Sequence, residues 1–225
     1  MSLHRSASEF LGILMLETRF PRPLGDVGNP ASWRMPVRYR VVATASPQRV
    51  VRDGDPALIE RFIDAGRALV AEGARALTTS CGILVRWQAV LERALPVPVW
   101  TSSLLLLPKL ACPGVITVDG TRLGAAELQA AGADPHTPVE GLAAGCALQR
   151  TLLDDLPTLD LAAAEADSVA AARRLVQRHP RVESLVLECT NLPPYAAAIE
   201  RATGRPVHHL MTLVHERWNA LGVPR

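Results

Sequence analysis

Two short stretches hold the side chains best suited to chemistry. Leu77-Thr78-Thr79-Ser80-Cys81-Gly82 and Val186-Leu187-Glu188-Cys189-Thr190-Asn191 each set a cysteine among small hydroxyl or amide residues, after an apolar run and before a helix-like segment. Ligands of open α/β sheets bind beyond the carboxyl ends of strands. A helix that starts there offers unpaired N–H groups and partial positive charge. Such a position favours a thiolate, lowering its pKa toward neutrality, and holds carboxylates. Cys81 and Cys189 are therefore expected to face each other across one small-molecule site. They would stand as two acid/base groups on opposite faces of a bound carboxylic acid. Thr78, Thr79, Ser80, Thr190 and Asn191 would help to hold the acid. Free cysteine also packs often as a small hydrophobe. That plainer role suits Cys112, between Ala111 and Pro113, and Cys146, in Ala-Gly-Cys-Ala, which lack the matching context.

The elements that must position these turns follow from pattern. Phe10–Leu16 is a short continuous apolar run, the signature of a buried parallel strand. Tyr39–Ala43 reads as a second strand. Asp55-Pro56 opens a helix as N-cap and first helical residue, with Ile59, Phe62, Ile63, Gly66, Leu69 and Val70 on one face and Gly73 closing it. Arg75–Thr79, a helix over Ile83–Ala94, and Val97–Trp100 follow. Then come a strand at Gly114–Val118, a helix at Gly124–Ala131, a strand at Val139–Leu142 and a helix at Leu159–His179. Val182–Leu187 is a strand, Pro194–Ala202 a helix, Pro206–His209 a strand and Leu213–Leu221 a closing helix. Alternation of this type gives parallel sheets with helices on both faces. Two similar half-chains predict two α/β lobes, 1–107 and 108–205, with 206–225 either staying with the second or completing the first. Residues 17–38 have no periodicity but carry Glu17, Arg19, Asp26, Asn29, Trp33 and Arg34, so the segment reads as an active-site loop. Arg19 or Arg34 would suit a second carboxylate.

Composition bounds the function. The chain has 225 residues, 48% hydrophobic and 20% charged, with a net charge of +2. That describes a globular protein and gives no basic patch for nucleic acid or acidic membranes. No segment is long enough to cross a membrane, and four scattered cysteines without a CxxC pair point to free thiols in a cytoplasmic setting. Lys109 is the only lysine, and no phosphate motif supports it, which disfavours a pyridoxal phosphate enzyme. Neither GxGxxG, GxxxxGK[ST] nor HExxH occurs, so no nucleotide or metal site is expected. Exposed apolar helix faces in such small lobes point to a homodimer.

The strand GILML, the TTSCG turn, the block GVITVDGTRLGAAELQAAG, the VEGL run and the LECTNLPPY turn resemble the aspartate/glutamate racemase superfamily. That group includes amino-acid and hydantoin racemases, maleate isomerases and arylmalonate decarboxylases. The resemblance covers most of the chain and implies two pseudo-symmetric flavodoxin-like lobes, an active-site cleft between them and cofactor-independent chemistry. Its catalytic cysteines fall on Cys81 and Cys189, and its carboxylate-holding positions near Thr79, Ser80, Gly82, Thr190 and Asn191. The first strand departs from the racemase pattern by running into Leu16-Glu17-Thr18-Arg19, and Gly82-Ile83 replaces the Asn-Thr pair of many members. The expected activity is racemisation of an amino acid or related small carboxylic acid, with Glu17 and Arg19 contributing to substrate binding. The alternatives are a maleate-type cis–trans isomerase or a decarboxylase of the same superfamily, and a catalytically silent small-acid-binding protein.

Overall fold

The computed structural model describes residues 9–222. The first lobe contains β1 (Phe10–Leu16), β2 (Val37–Val42), α1 (Ile59–Ala71), β3 (Ala74–Thr79), α2 (Gln88–Ala94) and β4 (Val99–Trp100). The second contains β5 (Pro113–Thr117), α3 (Ala125–Ala130), β6 (Val139–Gly141), α4 (Ala147–Leu153), α5 (Leu161–Arg178), β7 (Ser184–Leu187), α6 (Ala196–Thr203) and β8 (Val207–His209), and α7 (Leu210–Ala220) closes the described chain. The strand orders are β2-β1-β3-β4 and β6-β5-β7-β8, with every pairing parallel. These are two flavodoxin-like α/β lobes with one topology repeated.

The strand pattern explains the layering. All seven residues of β1 are buried. Phe10, Leu14 and Leu16 point to one apolar cluster with Phe62 and Leu69 of α1, whereas Leu11, Ile13 and Met15 point to another. This is the period-2 alternation of a strand covered on both faces. The second cluster is completed by Leu210, Met211, Leu213, Val214 and Trp218 of α7. So β8 pairs with β7 in the second sheet, while the helix that follows it packs across the first sheet. The 3-10 helix Ser103–Lys109, which follows β4, makes the reciprocal move and lies against β7 and β8. Ser103 Oγ donates to Leu187 O at 2.7 Å there. Each sheet is thus covered by the last helical segment of the other lobe.

Several local expectations hold and others shift. The Asp55 side chain accepts from Ala57 N, capping a 3-10 turn that leads into α1. The helix expected over Ile83–Ala94 is instead a 3-10 helix, Gly82–Trp87, continued by α2. Gln88 marks the change. Its buried amide donates to Val99 O at 2.7 Å and accepts from Thr101 N at 3.0 Å, tying the helix start to the end of β4. The π-helical turn Gln48–Arg52 and α4 carry no clear pattern in the sequence and were not expected. Cys112 is exposed with φ +40°, not packed as a small hydrophobe, while Cys146 is half-buried ahead of α4. Among the described residues, no helix is long and apolar enough to cross a membrane.

Candidate active site

The two cysteine turns meet at the carboxyl ends of the strands, where the lobes face each other. Ser80 N donates to Leu14 O at 3.0 Å, and Glu188 N donates to Ile116 O at 2.9 Å. The residue before each cysteine therefore makes the same bond to the central strand of its own sheet. The turns also grip each other. Thr190 Oγ1 donates to Ser80 O at 2.6 Å. A Cβ built on Gly82 would stand 2.2 Å from Glu188 O and 2.6 Å from Glu188 Oε1, so only a glycine permits this approach.

Cys81 and Cys189 line one cavity with Ser80, Gly82, Glu188, Thr190 and Asn191. Its apolar walls include Leu16, Phe20, Val51 and Leu152, and its other charged groups are Arg22, Asp119 and Arg122. About 30 Å³ is open to the centre of a water molecule, which accommodates about two waters, not a substrate. The cleft between the lobes is therefore nearly closed. A larger concavity of about 740 Å³ lies at the opposite end of the second sheet, beside Pro113, Pro138 and Val182 at the strand starts. It brings together no buried polar groups.

The expected binding residues divide. Ser80, Gly82, Thr190 and Asn191 sit at the cavity. Thr79 is buried behind it, its hydroxyl donating to Thr101 O at 2.7 Å and Cys81 O at 3.0 Å, so it shapes the turn and does not reach the cavity. Glu17 and Arg19 are not at the cavity. Glu17 is exposed and accepts from Thr44 N at 2.8 Å. Arg19 pairs with Asp155 at 3.2 Å, with its own side chain 72% exposed. The loop after β1 does reach the site, but through Phe20 and Arg22. Arg22 donates to Asp26 Oδ1 at 3.0 Å and to Thr18 Oγ1 at 2.9 Å. Asp26, fully buried, also accepts from Asn191 Nδ2 at 2.7 Å. The loop has no periodicity from which its inward-facing charged residues could be chosen.

The electrostatics correct one expectation. Neither thiol is acidic. Burial pushes Cys81 up to about 12, with the nearby Glu188 charge adding to the rise and the Ile83 N–H opposing it. Burial raises Cys189 well above its ordinary value, again with Glu188 adding and the Asn191 N–H opposing. The turn N–H groups do favour the thiolates, as expected, but desolvation in an enclosed site outweighs them. The Cys189 thiol donates to Asn191 Oδ1 at 3.5 Å. Glu188 is a buried acid at the cavity that the sequence did not single out. It is 2% exposed, Thr117 Oγ1 donates to its Oε2 at 2.6 Å, and burial lifts its carboxyl to about 7 while the Thr117 bond opposes the lift. Its position directly before Cys189 was visible, but nothing in the sequence separated it from an ordinary strand-end acid.

A raised folded-state pKa fixes the sign of a stability effect. The contribution is fully present below the unfolded value of 4.5 and is lost as pH rises through about 7. The loss amounts to about 3 kcal/mol from the shift. Glu188→Gln is expected to match the native chain in denaturant unfolding at pH 4 and to exceed it at pH 8. Parallel stability curves for the two proteins would contradict the buried, titrating carboxyl.

The mouth of the closed cleft is clamped across the lobes. Asp155 accepts from Arg19 N at 2.6 Å and Phe20 N at 3.3 Å as well as from the Arg19 guanidinium, and Arg52 donates to Asp154 at 2.7 Å. The exposed Arg52–Asp154 pair stabilises by about 0–1 kcal/mol, whereas the Asp155 carboxylate, bonded to two backbone N–H groups, contributes more. Asp155→Gly, which suits the left-handed backbone of that position (φ +52°), is expected to lower the unfolding free energy by about 1–3 kcal/mol. Under conditions where the variant stays folded, iodoacetamide should alkylate Cys81 several-fold faster in it, because opening frees the cavity. An unchanged alkylation rate would remove the clamp from the account.

No protein-family model matches the chain. Arylmalonate decarboxylase, in the structure of a mutant with associated sulfate, is 18% identical, with 95% of this chain and 92% of that one aligned at a TM-score of 0.60. Allantoin racemase from Klebsiella pneumoniae is 13% identical, with 96% and 89% aligned at a TM-score of 0.69. The chain has the aspartate/glutamate racemase fold. In sequence, dimethylsulfoniopropionate lyase 7 from Emiliania huxleyi is 29% identical over 226 residues, which cover 90% of this chain. The chain spans 64% of that relative's length and 57% of the length of lyase 3 from the same organism.

Proposed function

We propose that this chain is a cofactor-independent lyase that removes a proton alpha to a carboxylate and expels a sulfur leaving group from the beta carbon, with dimethylsulfoniopropionate as its substrate. The sequence relatives carrying that activity support the substrate, and the asymmetry of the site supports the reaction. In a two-base racemase the cysteines exchange roles with each enantiomer, so matched surroundings suit both. Here Ser80 precedes one cysteine and Glu188 the other, at equivalent positions beside the central strands. A titrating acid on one side only fits a reaction that runs in one chemical direction. Elimination of a sulfonium fits further, because dimethyl sulfide departs neutral and needs no acid to protonate it.

In this reading Cys81, the less deeply buried thiol, acts as thiolate base. Cys189, hydrogen-bonded to Asn191, stays a thiol. With the N–H groups of the two turns it stabilises the enolate-like charge that develops on the carboxylate. Asp119 offers negative charge to the sulfonium end, and Leu16, Phe20 and Leu152 enclose its methyl groups. The carbon–sulfur bond breaks with its electron pair on sulfur, giving acrylate, dimethyl sulfide and one proton.

The racemase reading keeps one observation in its favour, the presence of cysteines in both turns. Incubating the purified chain with dimethylsulfoniopropionate and measuring headspace dimethyl sulfide and acrylate separates the two. Production of both supports the lyase. No dimethyl sulfide, together with alpha-deuterium uptake into amino acids or hydantoins, would replace it with racemisation.

A further inference from the structure

Glu188 has no part in a bare two-cysteine scheme, yet it occupies the middle of the site. It is buried, lines the cavity, and takes the position that Ser80 holds in the other lobe. Its Oε1 reaches across the lobe boundary to lie against Gly82, the residue after Cys81. Thr117 holds its other oxygen. The charged and titratable groups around it are Cys81, Cys189, Arg22, Asp119 and Arg122 at the cavity, together with Arg86 of the 3-10 helix Gly82–Trp87 and Glu127 of α3, which pair with each other at 3.3 Å. Arg86 therefore favours the carboxylate, but its charge is already shared with Glu127.

We propose that Glu188 is the proton acceptor for the Cys81 thiol, which makes Cys81 the base and leaves Cys189 protonated. The proposal rests on the lyase reading and assigns the residue that activates its base. The step conserves charge: a Glu188 carboxylate and a Cys81 thiol become a Glu188 carboxylic acid and a Cys81 thiolate. An enclosed apolar site tolerates one negative charge far better than two. Part of what holds the Cys81 thiol protonated is the Glu188 charge itself, and that part disappears once the carboxyl takes the proton. The thiolate then takes the alpha proton, the carbon–sulfur bond breaks toward sulfur, and the thiol is restored. Glu188 gives its proton to water when the cleft opens. The residue acts through Cys81 and not on the substrate, so it is a positioning and proton-storing group.

The sign of the pH dependence tests this. As acceptor, Glu188 must enter ionised, so kcat/KM of the unaltered chain on dimethylsulfoniopropionate should climb through about pH 7 as the carboxyl ionises. Glu188→Gln should lose at least about 100-fold at pH 8 and should lack that limb. Thr117→Val, close to threonine in shape, removes the bond that opposes the lift, so it should move the limb to higher pH, with circular dichroism controlling for folding. The opposite pattern, with activity falling above pH 7 and Glu188→Gln faster than the native chain at pH 8, would show that the carboxylate only represses the thiols and would overturn the proposal. An identical limb in native chain, Glu188→Gln and Thr117→Val would do the same. Alpha-deuterium uptake into methylthiopropionate, which lacks the sulfonium leaving group, is followed in parallel. Uptake with the expected pH limb but without dimethyl sulfide release from dimethylsulfoniopropionate would sink the lyase reading and leave Glu188 as acceptor. Absence of both activities in the unaltered chain would overturn both.

Discussion

Cys81→Ser is expected to lower turnover of dimethylsulfoniopropionate by about 10²–10⁴-fold, the range that a positioned general base contributes. Serine is nearly isosteric, and the residue is half-buried at the start of the 3-10 helix Gly82–Trp87, so the fold should survive. What is lost is acidity, because a hydroxyl gives up its proton far less readily than a thiol, even a thiol lifted to about 12. Cys189→Ser keeps a donor toward Asn191 and toward a developing enolate, so its loss should be clearly smaller. Unequal losses mark a one-directional reaction, whereas equal, near-total losses would return the site to two exchanging bases. Circular dichroism of both variants controls for folding, and turnover of alpha-deuterated substrate shows whether proton removal limits the rate. A Cys81→Ser variant with more than a tenth of native activity would end the assignment of Cys81 as base.

Gly82→Ala should be nearly as damaging for a different reason. The added methyl would fall 2.2 Å from a backbone oxygen of the facing turn and 2.6 Å from the Glu188 carboxylate, and backbone cannot step aside as a flexible side chain can. The turns must separate, at a cost of about 1–3 kcal/mol for overpacking. Separation also stretches the Thr190–Ser80 bond and moves Glu188 away from Gly82 and its turn. Misplacement by about 1 Å can cost about 100-fold in rate. Denaturant unfolding and kcat/KM, measured together, should both fall. Normal activity would mean that the closed contact between the turns is not the catalytic arrangement.

Much of this was open to reading in the chain itself. The apolar run of β1, the cap at Asp55 and the paired cysteine turns all report local rules, and local rules are what a sequence displays. The shift in thiol acidity was not legible, because it depends on how completely two distant turns exclude water when they close. Glu188 was hidden for a related reason. A glutamate at a strand end is ordinary until the opposite lobe supplies Gly82 to receive it. Arg19 misled because a loop without period gives no way to know which side chains turn inward. Phe20 and Arg22, one and three residues further on, are the ones that reach the cavity.

The exchange of terminal helices has a consequence for how the molecule comes apart. Because α7 covers the sheet of the first lobe and Ser103–Lys109 lies against that of the second, neither half-chain carries a complete set of cover for its own strands. A gene split near residue 110 would yield two polypeptides, each with a bare apolar sheet face. The first would lack the five buried side chains of α7, each worth about 1.5–3 kcal/mol of burial. Separately they should aggregate. Produced together they should recombine into one particle, with the cysteine site rebuilt at the seam.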